Sequence, residues 1–184
     1  MDRLDLEIAC DHLHQGKLIA YPTEAVWGIG CDPAKQSAVL RILKLKQRPL
    51  DKGLILVASN MDQLGGLLDD LNQSQIAQLE NSWPGPTTWL IPDLANQYPP
   101  WIKGKHTSVA VRVSAHPVIQ ELCRIFARPI VSTSANSSGQ AEIRSRLVLE
   151  EQFADSIDYI VQGELGAETK PTQIRDLNSG RIIR

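Results

Sequence analysis

Short apolar runs of strand length alternate with amphipathic segments along most of the chain. The apolar runs predict strands at 17–21, 53–59, 87–91, 108–113, 129–133, 157–161 and 172–177. The amphipathic segments predict helices at 4–15, 61–69, 74–82, 116–126 and 145–154, with a further helix inside 32–49. Strands that alternate with helices are typical of an α/β domain.

Cap residues and turn residues set the expected bounds of these elements. In the segment 32–49, Asp32 is suited to cap a helix, Pro33 suits the first helical position, and Pro49 enforces the stop. No helix pattern lies between the strands at 87–91 and 108–113. That gap predicts an antiparallel or irregular connection, and therefore one open α/β domain with a mixed sheet.

Composition indicates an ordinary globular protein. The 184 residues suffice for one well-cored domain, and 42% hydrophobic with 22% charged residues argues against disorder. The N-terminal segment lacks a signal-peptide pattern, and the apolar runs are too short to span a bilayer. Cys10, Cys31 and Cys123 are odd in number and scattered, which favours reduced thiols. We therefore expect a soluble cytoplasmic protein.

The distribution of charge is more informative than the net charge of −2. The segment 33–60 contains one acid, Asp51, and six bases, Lys35, Arg41, Lys44, Lys46, Arg48 and Lys52. From Gly53 to Ile102 there is no Lys or Arg. In a mildly acidic protein, such a segment favours a local anion site over a broad polyanion-binding face.

Several common chemistries have no motif in this sequence. It contains no G-x-x-x-x-G-K-[ST] loop, and GIGCDP at 28–33 fails the dinucleotide pattern because Pro33 replaces the last glycine. There is no G-x-S-x-G, H-E-x-x-H or C-x-x-C. His12 and His14 lie two positions apart on a predicted helix and face different ways. We expect no protein-only metal cage.

A cationic segment at 44–53 is the first candidate site. It places Lys46, Arg48 and Lys52 around a helix end and a proline turn. The alternative is a solvated helix terminus, where bases favour the helix dipole, and for Lys44 we accept it. A polyphosphate needs several fixed cations, and Arg can bind phosphate oxygens in a bidentate manner.

The polar segment STSANSSG at 132–139 is the second candidate. It leaves a predicted strand, and open α/β sheets bind ligands beyond the carboxyl ends of their strands. The serine and threonine hydroxyls can donate to phosphate or carboxylate oxygens, and Asn136 can donate and accept. The alternative is a serine-rich turn that caps the next helix.

The segment YPTEAVWGIGCD at 21–32 is the third. Thr23 and Glu24 supply polar groups directly after a strand, and Gly28 and Gly30 would let the backbone approach a ligand closely. The alternative is an irregular loop with an ordinary core tryptophan.

These three segments, in this order, resemble the YrdC/TsaC family of threonylcarbamoyl-AMP synthases. The likeness continues through WPGPTTW at 83–89, SVAVRV with HP at 108–117, and PTQIRDLNSGRIIR at 171–184, so it covers nearly the whole chain. Ala25 stands where many members have threonine, and Lys52-Gly53 where they have Asn-Pro, which leaves a ligand contact by Lys52 open. The chain resembles the short bacterial form.

The resemblance implies one YrdC-like domain over 1–184, with a twisted open sheet and a large concave cleft. It implies that L-threonine, bicarbonate or CO2, and ATP give threonylcarbamoyl-adenylate and pyrophosphate. A separate transferase complex would use this product to modify the adenosine beside the anticodon in tRNAs that read codons beginning with A. Mg²⁺ would come with the nucleotide.

The resemblance also assigns residues, position by position. The ATP side would comprise Lys46, Arg48, Ser108, Ser134, Asn136 and Arg184. The threonine side would comprise Thr23, Arg112, Ser132 and Thr172. Lys46 and Arg48 are electrostatic candidates for catalysis, and no general base is assigned. Arg112, inside an apolar strand, would be a costly half-buried charge unless a substrate carboxylate paired with it.

An RNA-binding module, for double-stranded RNA or tRNA, is the competing function. The net acidity, the long base-free stretch and the lack of an RNA-binding motif argue against it, although weak tRNA contact remains open. A role in ribosome assembly, as an indirect consequence of undermodified tRNA, is a third interpretation.

Overall fold

The computed structural model describes residues 2–137, 139–169 and 172–183, in which helices and strands alternate. The helices are α1 (Arg3–His14), α2 (Gln36–Leu45), α3 (Gln73–Glu80), α4 (Pro100–Lys103), α5 (Pro117–Phe126) and α6 (Arg146–Phe153). The strands are β1 (Ile19–Pro22), β2 (Trp27–Gly30), β3 (Ile55–Ala58), β4 (Thr87–Pro92), β5 (Ser108–Val113), β6 (Ile130–Ser134), β7 (Tyr159–Ile160) and β8 (Gln173–Asp176). Stretches of 3₁₀ helix at Leu50–Lys52 and Met61–Leu68 lie on either side of β3.

The described strands form an eight-stranded sheet in the order β7-β1-β2-β6-β3-β5-β4-β8. Strand β3 runs parallel to β5 and antiparallel to β6, so the sheet is mixed. Of the two predicted possibilities, an antiparallel or an irregular connection, β4 and β5 show the antiparallel one, although the short helix α4, which the sequence does not predict, lies between them. The predicted class, a single α/β domain with an open mixed sheet flanked by helices, is confirmed.

The two faces of this sheet are packed differently. On one face the main core includes Ile42 from α2, Leu79 from α3 and Phe153 from α6. On the opposite face, α1 and α5 pack over Tyr21 and Val57 and form a second core. The second core occupies one part of its face and leaves the rest for other contacts.

Strand β5 shows where the second core ends. Side chains alternate between the faces of a strand, so Val109 and Val111 join the main core while Ser108, Ala110 and Arg112 face the other way. These three side chains line a cavity instead of packing under a helix. The sequence of β5 therefore places an apolar face in the core and a largely polar face in the cavity.

The start of α2 corrects a sequence prediction. Asp32 does not cap this helix, which begins at Gln36 after Lys35. The Asp32 carboxylate instead accepts from the backbone N–H of Ala34 at 2.9 Å, and Arg128 lies 3.6 Å away. Asp32 is fully buried, and its local turn delays the helix.

The alternative interpretation of 21–32, an irregular loop, is wrong for 27–30, which forms the strand β2 that the sequence patterns do not predict. Strand β2 pairs with both β1 and β6, which buries a stretch of sequence that is rich in glycine. The predicted helix at 61–69 is instead a pair of 3₁₀ turns within 61–68, which meet at a kink where Gly65 has a non-helical φ of 50°.

Candidate functional site

A cavity of about 470 Å³ lies on the part of the sheet that α1 and α5 leave uncovered. Its floor includes Ile55 from β3, Ala110 from β5 and Ser132 from β6, which are neighbours in the strand register. This volume falls in the range of small-molecule sites. The cavity therefore suits a ligand much smaller than a duplex of RNA.

The predicted site residues within the described chain meet in this cavity. They are Thr23, Lys46, Arg48, Lys52, Ser108, Arg112, Ser132, Ser134, Asn136 and Thr172. Arg184 lies outside the described residues, so its assignment to the ATP side stays a prediction. The ligand contacts of the other residues stay predictions as well.

Lys46, the cap residue directly after α2, is buried and holds the loop after β6. Its Nζ donates to the carbonyl oxygens of Ser134 and Asn136, the latter at 2.6 Å, and to Oδ1 of Asn136 at 3.0 Å. Burial, and to a lesser extent the charge of Arg48, lower the pKa of Lys46 to about 8 against the opposing effect of Glu142. Lys46 is a fixed, solvent-shielded positive charge near neutral pH.

The serine-rich segment forms a tight turn around Asn136. The hydroxyl of Ser134 donates to Oδ1 of Asn136 at 2.6 Å, and Nδ2 of Asn136 donates to the carbonyl of Gln140 at 2.7 Å. Helix α6 follows Ser145, and no side-chain hydrogen bond caps it. The alternative function for this segment, capping the next helix, is therefore wrong.

Arg48 shapes the turn that leads into β3. Its Nε donates to the carbonyl of Gly53 at 3.1 Å and its Nη2 to the carbonyl of Lys52 at 3.3 Å. Gly53 adopts φ of 61°, and a Cβ at this position would come within 2.8 Å of the carbonyl oxygen of Lys103. The turn is thus packed closely, and the exposed Lys52 side chain lies at the edge of the cavity.

Arg112 is buried and already has an acidic partner. Its Nη1 lies 2.9 Å from Oε2 of Glu24, and the hydroxyl of Ser114 donates to Oε1 of the same carboxylate at 2.5 Å. The expectation that a substrate carboxylate is needed to offset the charge of Arg112 is wrong, because Glu24 does so. Burial acts to raise the pKa of Glu24, but Arg112 and Ser114 outweigh burial and lower it.

Sequence reasoning placed Glu24 beside the site without giving it this partner. The two residues are 88 positions apart, and no short motif links them. A signal was present: a lone Glu directly after one strand and a lone Arg inside another each need a buried counterpart. Neither signal indicates which residue is the partner.

The glycines of β2 serve packing as well as the site. A Cβ on Gly30 would collide with the backbone carbonyl oxygen of Val131 and lie 2.8 Å from the ring of the fully buried Tyr21, so Gly30 makes room for these groups and not for a ligand. Gly28 does line the cavity, where a Cβ would meet the methyl group of Thr23 at 3.0 Å. The predicted close approach to a ligand therefore applies to one glycine at most.

Two hydroxyls on the predicted threonine side are held locally. Thr23 Oγ1 donates to the carbonyl of Val26 at 2.7 Å, which closes the turn between β1 and β2. Thr172 Oγ1 lies 3.3 Å from Oγ1 of Thr88, a fully buried residue. Both residues line the cavity.

Across 2–137, 139–169 and 172–183, no three acidic, histidine or cysteine side chains are arranged to hold a metal ion. The acidic residues that line the cavity are Glu24 and Glu142. None of the helices in the described part of the chain has the length and apolar character needed to cross a bilayer.

Comparison with known families gives a match over residues 11–184. The matching model is that of the Sua5/YciO/YrdC family, which carries the description "Telomere recombination". The threonylcarbamoyl-AMP synthase of Xanthomonas axonopodis pv. citri is 49% identical over 185 residues, which cover 100% of this chain and 98% of the relative. That of Pseudomonas aeruginosa is 51% identical over 172 residues, covering 94% and 92%.

Solved structures give the same picture of the fold. Sua5 of P. abyssi in complex with L-threonine aligns with a TM-score of 0.89 at 32% identity, over 97% of this chain and 52% of that one. The chain thus spans about half the length of that protein. YciO of E. coli aligns over all of this chain with a TM-score of 0.86, and at 22% identity this likeness concerns the fold alone.

Proposed function

The chain belongs to the Sua5/YciO/YrdC family and is a threonylcarbamoyl-AMP synthase, and we propose that it makes this product in the cavity between Lys46 and Arg112. The substrates would be L-threonine, bicarbonate or CO2, and ATP, and pyrophosphate would be released. The observation that supports this activity is a sequence identity of 49% to 51%, over almost the full length, with curated threonylcarbamoyl-AMP synthases.

The ATP would bind at the end of the cavity where cations cluster. There Lys46, Arg48 and Lys52 line the cavity, and the side-chain hydrogen bonds around Asn136 fix the loop opposite them. Because Lys46 gives its hydrogen bonds to that loop, it would act mainly through its charge and by holding Ser134 and Asn136 in place. Ser108 and Arg184 complete the ATP-side proposal.

The threonine would bind at the end where Arg112 lies. Arg112 would receive its carboxylate, while the hydroxyls of Thr23, Ser132 and Thr172 offer hydrogen bonds to its polar groups. The threonine complex of the P. abyssi relative supports an amino-acid site in this fold.

The chemistry requires two anions to approach each other. The threonine ammonium would lose two protons to solvent as its nitrogen bonds to the carbon of CO2, which gives a carbamate whose oxygen attacks the α-phosphorus of ATP. A bond from that oxygen to phosphorus forms, the bond from the α-phosphorus to the bridging oxygen breaks, and pyrophosphate carries the electron pair away. Catalysis is then mainly positioning and charge neutralisation, which Lys46 and Arg48 would supply. We assign no general base.

A magnesium ion fits this cavity as a companion of the nucleotide. Of the two acids that line it, Glu24 has both oxygens bonded to Arg112 and Ser114, which leaves Glu142 as the available carboxylate. Mg²⁺ typically takes one or two carboxylates and otherwise phosphates and water. When bound, it would neutralise part of the charge of the phosphates.

The product would pass to a threonylcarbamoyl transferase complex in the cytoplasm. That complex would modify the adenosine beside the anticodon of tRNAs that read codons beginning with A. Weak tRNA contact by this chain is compatible with the proposal. RNA binding as the main function is disfavoured, since the relatives at half identity are named as synthases.

The decisive assay is pyrophosphate release from ATP by the purified chain. Release should require both L-threonine and bicarbonate, because the carbamate is the nucleophile. Omitting either substrate is the control. Equal release without threonine would contradict the proposed activity.

A further inference from the structure

A chain of buried polar side chains runs behind the predicted threonine end of the cavity. Glu24 lies between β1 and β2, and Arg112 and Ser114 lie at the end of β5. Both oxygens of the Glu24 carboxylate are bonded, one to Arg112 and one to Ser114, whose Oγ also accepts from the backbone N–H of His116 at 3.1 Å. Glu24 and Arg112 are 8% and 6% exposed, so water competes little with these bonds.

The guanidinium of Arg112 has donors to spare. Nη1 is bonded to Glu24, whereas Nε is buried and has no hydrogen-bond partner. Leaving a buried N–H unpaired costs free energy, and such groups mark places where a ligand completes the structure. Arg112 lines the cavity, so a carboxylate bound there would meet the guanidinium, of which only Nη1 is bonded to Glu24.

The backbone of Glu24 is clamped as firmly as its side chain. Its carbonyl accepts from the N–H of Glu168 at 3.0 Å, and the carbonyl of Thr23 accepts from the N–H of Gly166 at 2.9 Å. A Cβ on Gly166 would lie 2.7 Å from the carbonyl oxygen of Glu24, so the two backbones are in close contact. The position of the carboxylate is thus set by two segments distant in sequence.

We propose that Glu24 is a positioning residue for threonine: its carboxylate orients the Arg112 guanidinium so that N–H groups not bonded to Glu24 donate to the substrate carboxylate. The proposal rests on threonine being a substrate of this cavity. Glu24 also neutralises the charge of Arg112. The buried arginine therefore carries no uncompensated charge before a ligand binds.

Proton transfer by Glu24 is the rival role for a carboxylate in this cavity. Its oxygens already accept from Arg112 and Ser114, and its lowered pKa makes it a weak base. A weak base with both oxygens occupied is poorly suited to take a proton from the threonine ammonium. The geometry therefore supports action through Arg112.

The test combines Glu24→Gln, Arg112→Gln and the double variant. Gln at position 24 keeps the size of the side chain and one acceptor but removes the charge that orients the guanidinium. We expect the KM for threonine to rise about tenfold in Glu24→Gln and about a hundredfold in Arg112→Gln, with the KM for ATP within about twofold. The double variant should be no worse than Arg112→Gln alone, since Glu24 acts through Arg112.

Calorimetric titration with L-threonine alone, without ATP, should reproduce the same order of affinities. The matched control is Asp5→Asn, which alters another buried carboxylate with two hydrogen-bond partners, Tyr159 and the N–H of Gln162, away from the cavity. That variant should keep the wild-type KM for threonine.

Three results would overturn the positioning role: an unchanged KM for threonine in Glu24→Gln, equal losses for ATP and threonine, or multiplicative losses in the double variant. If Glu24→Gln does not fold, Ser114→Ala removes one support of the same carboxylate, and should raise the KM for threonine a few fold. A wild-type chain that binds threonine but forms no product would contradict the proposed activity only, because the titrations still decide the role of Glu24.

Discussion

The two ends of the cavity both present a buried cation, but they treat its charge in opposite ways. At one end Lys46 is bonded to neutral oxygens of Ser134 and Asn136, so its charge is stabilised without being cancelled. At the other end Arg112 is paired with the carboxylate of Glu24. The first end retains a positive field, whereas the second has no net charge of its own.

This difference matches the proposed ligands. A triphosphate carries several negative charges and gains from an uncancelled field, to which Arg48 and Lys52 also contribute. Threonine is a zwitterion, and a neutral pair with directed donors can bind its carboxylate without repelling its amino group. The comparison predicts that changes at one end affect one substrate.

Removing the Lys46 charge should have the largest effect on ATP use at the positive end. Lys46→Ala deletes the cation and three hydrogen bonds to the loop after β6, each charge-assisted and worth about 1.5–3 kcal/mol. We expect kcat/KM for ATP to fall about a hundredfold, with a much smaller change in threonine binding measured by titration.

The matched control for this variant is Lys44→Ala, an exposed base two positions earlier on α2. It should behave as wild type, with the same melting temperature. Equal losses of ATP and threonine affinity in Lys46→Ala would contradict this prediction. They would show that Lys46 supports both ends of the cavity by holding the loop after β6, and not the ATP end through its charge.

Raising the pH should reduce ATP affinity at the positive end less than the Lys46→Ala substitution does. Burial lowers the pKa of Lys46 to about 8, so its charge is largely present at pH 7 and lost as the pH rises through 8. Phosphate groups are already ionised in this range. ATP affinity, measured by titration without threonine, should therefore fall several fold between about pH 7 and 9.

The same measurement distinguishes the cause of this fall. In Lys46→Ala the affinity should be low and nearly flat over the same range, because the titrating group is gone. A wild-type affinity that stays constant through pH 8 would contradict the assignment of this charge to the ATP end.

The sequence predicts the positive end far better than the neutral one. Lys46 and Arg48 stand in a short base-rich segment, and Ser134 and Asn136 in a polar segment after a strand, so composition alone marks both. Their hydrogen bonds, made across 88 to 90 positions, follow from the pairing of β6 with β2 and β3. No local pattern specifies that pairing.

Long-range pairing also explains what sequence reasoning missed. Glu24 and Arg112 each show an unmatched charge beside or within a strand, but their meeting depends on the order of the strands in the sheet. The prediction of a ligand beside Gly30 fails because the groups that pack against it, the Tyr21 ring and the Val131 carbonyl, are set by strand pairing and not by the local sequence. Strands of five or six residues such as β5 were located correctly, since their apolar alternation is a local property.

Salt gives the smallest expected effect on the small-molecule ligands and separates enzyme from RNA-binding module. The positive end is a pocket for one triphosphate, so raising the salt from about 0.05 to 0.2 M should weaken ATP binding only a few fold. Threonine binding at the neutral end should change less than twofold.

Binding of duplex RNA through many phosphates should weaken by orders of magnitude, because each neutralised phosphate releases a counterion. Binding of each ligand is measured separately over the same salt series, and RNA should not compete with threonine. Tight RNA binding that persists at about 0.2 M salt, where exposed charges are screened within about 7 Å, and that displaces threonine would reverse the order of the two functions.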